Sequence, residues 1–229
     1  MLDNPIWSSL TTRQSHLGRG NALARRYAAD MAPFLGVRDA GPEAAAAMAE
    51  LADAGEALYL VDVAPESAPG WSMTGLPPIA QMIFDGHTPP VADDEGVDVL
   101  GPADVPEMLA LMGAVYPGYF RPRTPEMGLY LGIREGGRLV AMAGQRMGLE
   151  GFREISGVAT LPEFRGRGHA RRLVSLLVGE ILREGLTPIL HVDADNASAK
   201  AAYEKAGFAP RRELALFKVR REGPEPPGR

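Results

Sequence analysis

The sequence has no cysteine. That single absence excludes disulfides, thiolate nucleophiles and cysteine-ligated zinc together. Histidine is also scarce: the four residues, His16, His87, His169 and His191, are too far apart in the chain to form a local metal motif, so no metal is expected. Aromatic residues make up only 7% of the chain and there are two tryptophans, which leaves no aromatic interleaving of the kind that stacks single-stranded bases. An excess of positive charge is missing too. The formal net charge is -5, which argues against general binding to nucleic acid or an anionic membrane, so any anion site must be local. No apolar run approaches the roughly 20 residues that a bilayer-spanning helix needs, and the polar N-terminus with its early Pro5 does not read as a targeting segment. A soluble, cytoplasmic protein is expected.

What the chain does contain is enough apolar material, 45% over 229 residues, for one large or two modest cores. Turn formers and three consecutive acids over residues 86–96 mark a linker. Residues 221–229, which carry three prolines and two glycines, are expected to be a disordered tail. Between them, hydrophobic spacing predicts a strand over 97–100, a helix over 103–115, a hairpin of strands 129–134 and 139–147 turning at Gly136-Gly137, and a strand over 154–160. A helix follows from Ala170 to the stop at Gly185, then a strand over 189–193, a helix over 198–206 closed by Gly207, and a last strand over 213–219. The first half is less legible. Residues 42–54 read as an alanine-rich helix and 57–63 as an apolar strand, an echo of the later helix and strand that a degenerate second copy, or any helix followed by a strand, would give.

The most informative segment is Arg165-Gly166-Arg167-Gly168-His169-Ala170, between a strand and an amphipathic helix. Glycines let the backbone approach a ligand and turn its N–H groups inward, and a helix start adds partial positive charge. Arg165, Arg167, Arg171 and Arg172 place four cations in eight residues, some of them where the helix dipole disfavours positive charge; a bound anion would relieve that conflict. The turn is not a Walker P-loop, because no lysine followed by serine or threonine comes after the last glycine. Nor is it a Rossmann fingerprint, since Arg171 stands where the third glycine belongs.

This turn resembles the R/Q-x-x-G-x-G/A signature of the GNAT superfamily of N-acetyltransferases. Residues 158–164 look like the family's fourth strand and its proline-bearing exit. Asn196, Ala199, Tyr203, Lys205, Gly207 and Phe208 resemble its N-x-x-A-x-x-x-Y-x-K-x-G-F segment. The resemblance covers residues 97–220. It implies an α/β (α+β) fold, with a mixed, mostly antiparallel central sheet flanked by helices, and leaves residues 1–92 as a smaller N-terminal α/β domain. It further implies acetyl-CoA as co-substrate, with the pyrophosphate on the backbone of Arg165, Gly166, Arg167, Gly168, His169 and Ala170, the pantetheine arm beside Val158 and Thr160, and Asn196, Ala199 and Tyr203 nearby.

Direct acyl transfer to an amine needs a neutral nucleophile, an oxyanion donor and a proton for the departing thiolate, but no enzyme nucleophile. Tyr203 sits where the family often places the thiolate's acid. Glu154 is the base candidate because it lies in the strand leading to the turn, with strand register deciding which face it occupies. His191 and Asp193, on one face of the next strand, stand in reserve. The expected activity is N-acetylation of a small molecule, amino acid or peptide amine. A CoA-binding regulatory module without turnover is the alternative, and a nucleic-acid binder using the arginine-glycine loop is a third reading. Acceptor, acyl length and oligomeric state are left open, a homodimer among the options.

Overall fold

The computed structural model of the chain describes residues 1–86 and 93–223. The chain begins with a short helix, α1 (Pro5–Thr11), and three short strands, β1 (Gly18–Gly20), β2 (Ala24–Tyr27) and β3 (Leu35–Val37), which form a small antiparallel sheet. Helix α2 (Pro42–Met48) starts on a proline, whose missing N–H costs nothing at a first helical position, and is shorter than its alanine content predicts. Strands β4 (Ala57–Val61) and β5 (Trp71–Phe84) complete the first half.

After the described residues resume come β6 (Val97–Val99), α3 (Val105–Val115), β7 (Tyr130–Glu135), β8 (Arg138–Leu149), β9 (Phe152–Thr160), α4 (His169–Arg183), β10 (Thr187–Asp193), α5 (Ala197–Lys205) and β11 (Phe208–Arg221). Every element expected over 97–220 is present, with ends shifted by a few residues. Residues 87–92 of the expected linker and 224–229 of the expected tail lie outside the described residues. Arg221 still belongs to β11.

One eight-stranded sheet, ordered β4-β11-β5-β10-β9-β8-β7-β6, organises the molecule. Only β9 and β10 run parallel; the other neighbours are antiparallel. The sheet runs through the position where the sequence places a break. Strands β4 and β5 precede residue 87, yet β5 lies between β10 and β11, so the first half divides into a smaller α/β layer and two strands of the main sheet. The physical reason that β5 is hard to read is its punctuation. Pro77 and Pro78 fall in a register irregularity opposite β11 and beyond the end of pairing with β10, so neither ladder needs the N–H that proline lacks.

One face of the sheet packs under α3 and α4, where Met108, Leu173, Val174, Leu177 and Ile181 meet Val140, Met142 and Ile155. The amphipathic pattern read in α4 is the stripe that makes this contact. The opposite face is covered by the N-terminal segment: Ile6, Leu10, Tyr27, Met31 and Phe34 pack on Met147, Leu149, Ile189 and Leu214. No helix among the described residues is long and apolar enough to cross a membrane.

Candidate active site

The site begins where two parallel strands separate. Strand β9 pairs with β10 from Phe152 opposite Thr187 to Ile155 opposite Leu190, and no further, although the strands continue to Thr160 and Asp193. A register irregularity against β8 places Gly157 and Val158 as extra residues opposite Ala143, and Gly157 has φ 62°. Such a bulge bends its strand and increases the local twist. A β-carbon on Gly157 would lie 3.4 Å from the Tyr130 ring, an ordinary contact, so the reason for glycine there is the positive φ. The result is a wedge in which residues 156–160 have no strand partner on the side toward β10.

At the wide end of the wedge lies the arginine-glycine turn. Gly166 and Gly168 have φ of 79° and 82°, and Gly168 is the residue from which α4 starts. Among the described residues, no acceptor takes the backbone N–H groups of residues 166–171. The space above the turn is open: a β-carbon on Gly166 would meet nothing within 4 Å, and one on Gly168 only the Arg171 guanidinium at 4.0 Å. A helix of fifteen residues therefore points an uncapped start into a concave turn, the arrangement that binds phosphate.

The side chains of the turn are less free than their number implies. Arg167 pairs with Glu135 at 2.7 Å and lies over the Phe164 ring, while His169 Nε2 is 3.0 Å from the same carboxylate. Arg165 donates from Nε to the Thr160 carbonyl, and Arg172 donates to the carbonyls of Asp93 and Glu95. Arg171 has no ion pair among the described residues. The turn thus offers backbone donors foremost. Ala170 contributes an N–H and a side chain small enough to leave the helix start accessible.

Helix α5 forms the far wall of the wedge. Asn196 caps it by accepting from the Ala199 N–H at 3.0 Å, and Asn196, Ala199 and Tyr203 all line one cavity of about 250 Å³. Tyr203 packs its ring edge on Phe208. Burial pushes its hydroxyl up to about 12, so it is a neutral proton donor at physiological pH, and it has no protein partner among the described residues. Val158 lines the cavity as well, but Thr160 does not; the Thr160 hydroxyl is buried without a partner.

Past the wedge, the cavity continues under the N-terminal segment, where Ile6, Phe34, Val61 and Ile79 join Tyr116, Tyr119, Arg146, His191 and Asp193 in its wall. Phe34 and Tyr119 stack at 6.1 Å, and Tyr119 and Tyr116 at 5.7 Å, with Tyr59 tilted onto Tyr119 at 4.8 Å. Sequence reasoning missed this aromatic column. Its members come from three segments far apart in the chain, and no periodicity links them.

Glu154 occupies a different position from the one its expected role requires. Strand register turns it away from α4, it is 0% exposed, and it is not in the cavity wall. Both oxygens are taken: Oε1 by Arg146 Nη2 at 2.7 Å and His191 Nδ1 at 2.8 Å, Oε2 by Arg146 Nε at 2.9 Å and the Met147 N–H at 3.2 Å. Burial pushes its carboxyl up, but the Arg146 charge and the hydrogen bonds from Arg146 and His191 together hold it at about 2. A carboxylate so enclosed and so weakly basic is poorly suited to take a proton from substrate. His191 is fixed on both sides, since Nε2 lies 2.9 Å from Gln81 Nε2. The Gln81 carbonyl already accepts from Arg211, so its NH₂ faces His191 and makes Nε2 an acceptor, leaving the proton on Nδ1 toward Glu154. Asp193 is exposed at the strand end, and its carboxylate receives only the Tyr116 hydroxyl, at 3.1 Å. Among the described residues no group of three or more histidine or acidic side chains is placed to hold a metal.

Comparison with known proteins agrees with this geometry. Residues 130–216 match the model of the FR47-like protein family, a stretch that contains the wedge, the turn and α5. The chain is 32% identical over 158 residues to an uncharacterized protein of Mycobacterium leprae, covering 62% of this chain and 43% of that one. It is 41% identical over 56 residues to a mycothiol acetyltransferase of Kocuria rhizophila, covering 24% of this chain and 18% of that one. The chain thus spans less than half the length of these curated relatives. A solved structure from Novosphingobium aromaticivorans, assigned to the GNAT family as an acetyltransferase, is 39% identical, covers 97% of this chain and 99% of its own, and superposes with a TM-score of 0.88. With that identity across nearly the full length of both chains, this protein belongs to the GNAT family.

Proposed function

We propose that the protein transfers an acetyl group from acetyl-CoA directly to the amine of a small acceptor. The observation that carries this reading is the end of β9–β10 pairing at Ile155 and Leu190, which opens one wedge onto both the turn at the start of α4 and the aromatic cavity. Acetyl-CoA supplies the activated acyl group and a thiolate leaving group when bound. The residues fit it: the N–H groups of residues 166–171 and the start of α4 suit a pyrophosphate, and the unpaired edge of residues 156–160, with Val158 in the cavity wall, suits an amide-bearing arm that pairs as a strand does.

In this reading Tyr203 gives its proton to the departing sulfur. Its hydroxyl is neutral, lacks a protein partner and shares the cavity with Val158. The amine's proton goes to Asp193, which is the cavity's accessible carboxylate and can pass it to solvent at the strand end. Glu154 acts through His191 as a positioning residue. The N-terminal segment, through Ile6 and Phe34, closes the acceptor end against water.

The test is release of CoA thiol from acetyl-CoA in the presence of a panel of amines, read with a thiol reagent. The absence of cysteine means the protein adds no background to that signal. Amine-dependent thiol release with matching acetylamine formation supports the reading; tight CoA binding with no acceptor turned over would make the protein a CoA-binding module instead.

A further inference from the structure

The cavity has one charge that nothing balances. Of its lining residues, only Arg146, His191 and Asp193 carry ionisable groups that are charged or can charge near neutrality. Arg146 is matched by Glu154 in a two-point pair, and both ring nitrogens of His191 are engaged, by Glu154 and by Gln81. Asp193 has no cation within ion-pairing distance among the described residues, and one of its two oxygens receives no donor. Its sole partner, Tyr116, is neutral, because burial, then the charge and hydrogen bond of Asp193, push its hydroxyl up to about 12.

The aromatic column gives that charge a direction. Phe34, Tyr119 and Tyr116 stack face to face, so only the outer π-faces of the two end rings, Phe34 and Tyr116, are left for a cation. The Phe34 end already holds a cation, the Arg146 guanidinium 4.8 Å from the ring centroid. At the Tyr116 end no cation lies over the ring among the described residues, and the Tyr116 hydroxyl donates to Asp193 Oδ1. We propose, on the basis of the acetyl-transfer reading above, that the acceptor is a monocationic primary amine on an apolar or flat body, without a carboxylate, its ammonium seated on the second oxygen of Asp193 beside the Tyr116 ring. An amino acid fits this chemistry poorly. Its carboxylate would add a second negative charge to a wall whose one cation has already committed Nε and Nη2 to Glu154.

The experiment compares matched pairs with the intact protein: phenethylamine against phenylalanine, and isopentylamine against leucine, each at saturating acetyl-CoA. The amines should exceed their amino acids in kcat/KM by about 30-fold, equivalent to about 2 kcal/mol. Asp193→Asn should narrow that gap by raising KM for the amine and, because Asp193 also takes the amine's proton, by lowering kcat; Tyr116→Leu, which removes the ring, should narrow it chiefly through KM, while CoA affinity measured by calorimetry is unchanged in both. Equal use of the two classes, a preference for the amino acids, or no turnover of either amine while CoA binds normally would each overturn the assignment of acceptor class. Failure to bind CoA is a separate result, and it would fall on the acetyl-transfer reading itself.

Discussion

His191 Nδ1 lies 2.8 Å from Glu154 Oε1, on the side of the sheet that faces the N-terminal segment. The contact joins a cavity residue to an ion pair whose carboxylate is buried and whose guanidinium reaches the cavity wall, and Gln81, held by Arg211 and the Leu2 carbonyl, closes the chain from the other side. The active-site wall is therefore braced by residues from β5, β8, β9, β10 and the N-terminal segment together.

Glu154→Gln should be severely destabilising, because it leaves the buried Arg146 guanidinium without its counter-charge. A loss of about 3–5 kcal/mol is expected on urea unfolding. The pH dependence has a definite sign. The folded carboxyl is depressed below its usual 4.5 to about 2, so its stabilisation is fully present above the higher value and is lost as pH falls through the lower one. The wild-type protein should lose stability between those values by an increment that the Gln variant lacks; parallel pH–stability curves for the two would contradict the account.

Tyr203→Phe keeps the ring that packs on Phe208 and removes the proton. The expected outcome is a fall of about 10²-fold in kcat with CoA affinity nearly unchanged, in line with the loss of a general acid. Full turnover at saturating substrates would reduce Tyr203 to a packing residue.

Phe34→Ala should remove the ring that the Arg146 guanidinium and Tyr119 both cover. Acceptor KM is expected to rise about tenfold or more, and CoA affinity to stay the same, since Phe34 belongs to the covering segment rather than to the wedge. Steady-state kinetics with one accepted amine decides the point.

A truncation beginning at Asp94 should fail to fold. It deletes β5, which pairs with both β10 and β11, and exposes the long inner edges of those strands. A soluble, cooperative unfolding transition from this fragment, with normal kinetics, would show that the sheet tolerates the loss of a central strand.

These predictions also mark what the sequence revealed and what it concealed. The turn was legible because glycine spacing, arginine density and the helix pattern after it all act within a few residues of each other. Tyr203 enters only through the resemblance of residues 196–208 to the family's segment, since no local physical pattern singles it out. Glu154 was recognised as notable, but its role depends on which face of β9 it occupies, and one step of register separates a cavity-facing base from a buried brace. The pairing of Phe34, Tyr116 and Tyr119 spans more than eighty residues of chain, so no local pattern announces it. Strand β5 was hidden because Gly75, Pro77 and Pro78 resemble a loop, and only the irregular pairing with β11 and the early end of β10 make prolines acceptable there.

The central claim is that acetyl-CoA sits on the turn at the start of α4 with its arm in the wedge beyond Ile155. The most direct measurement is calorimetric titration of the intact protein with acetyl-CoA, alongside Gly168→Asp. That substitution places a side chain where φ is 82° and a carboxylate where phosphate should lie. One site per chain in the wild type, and affinity weakened at least about 30-fold in a variant that circular dichroism shows to be folded, is the predicted result. Two equivalent sites, or unchanged affinity in the folded variant, would contradict it.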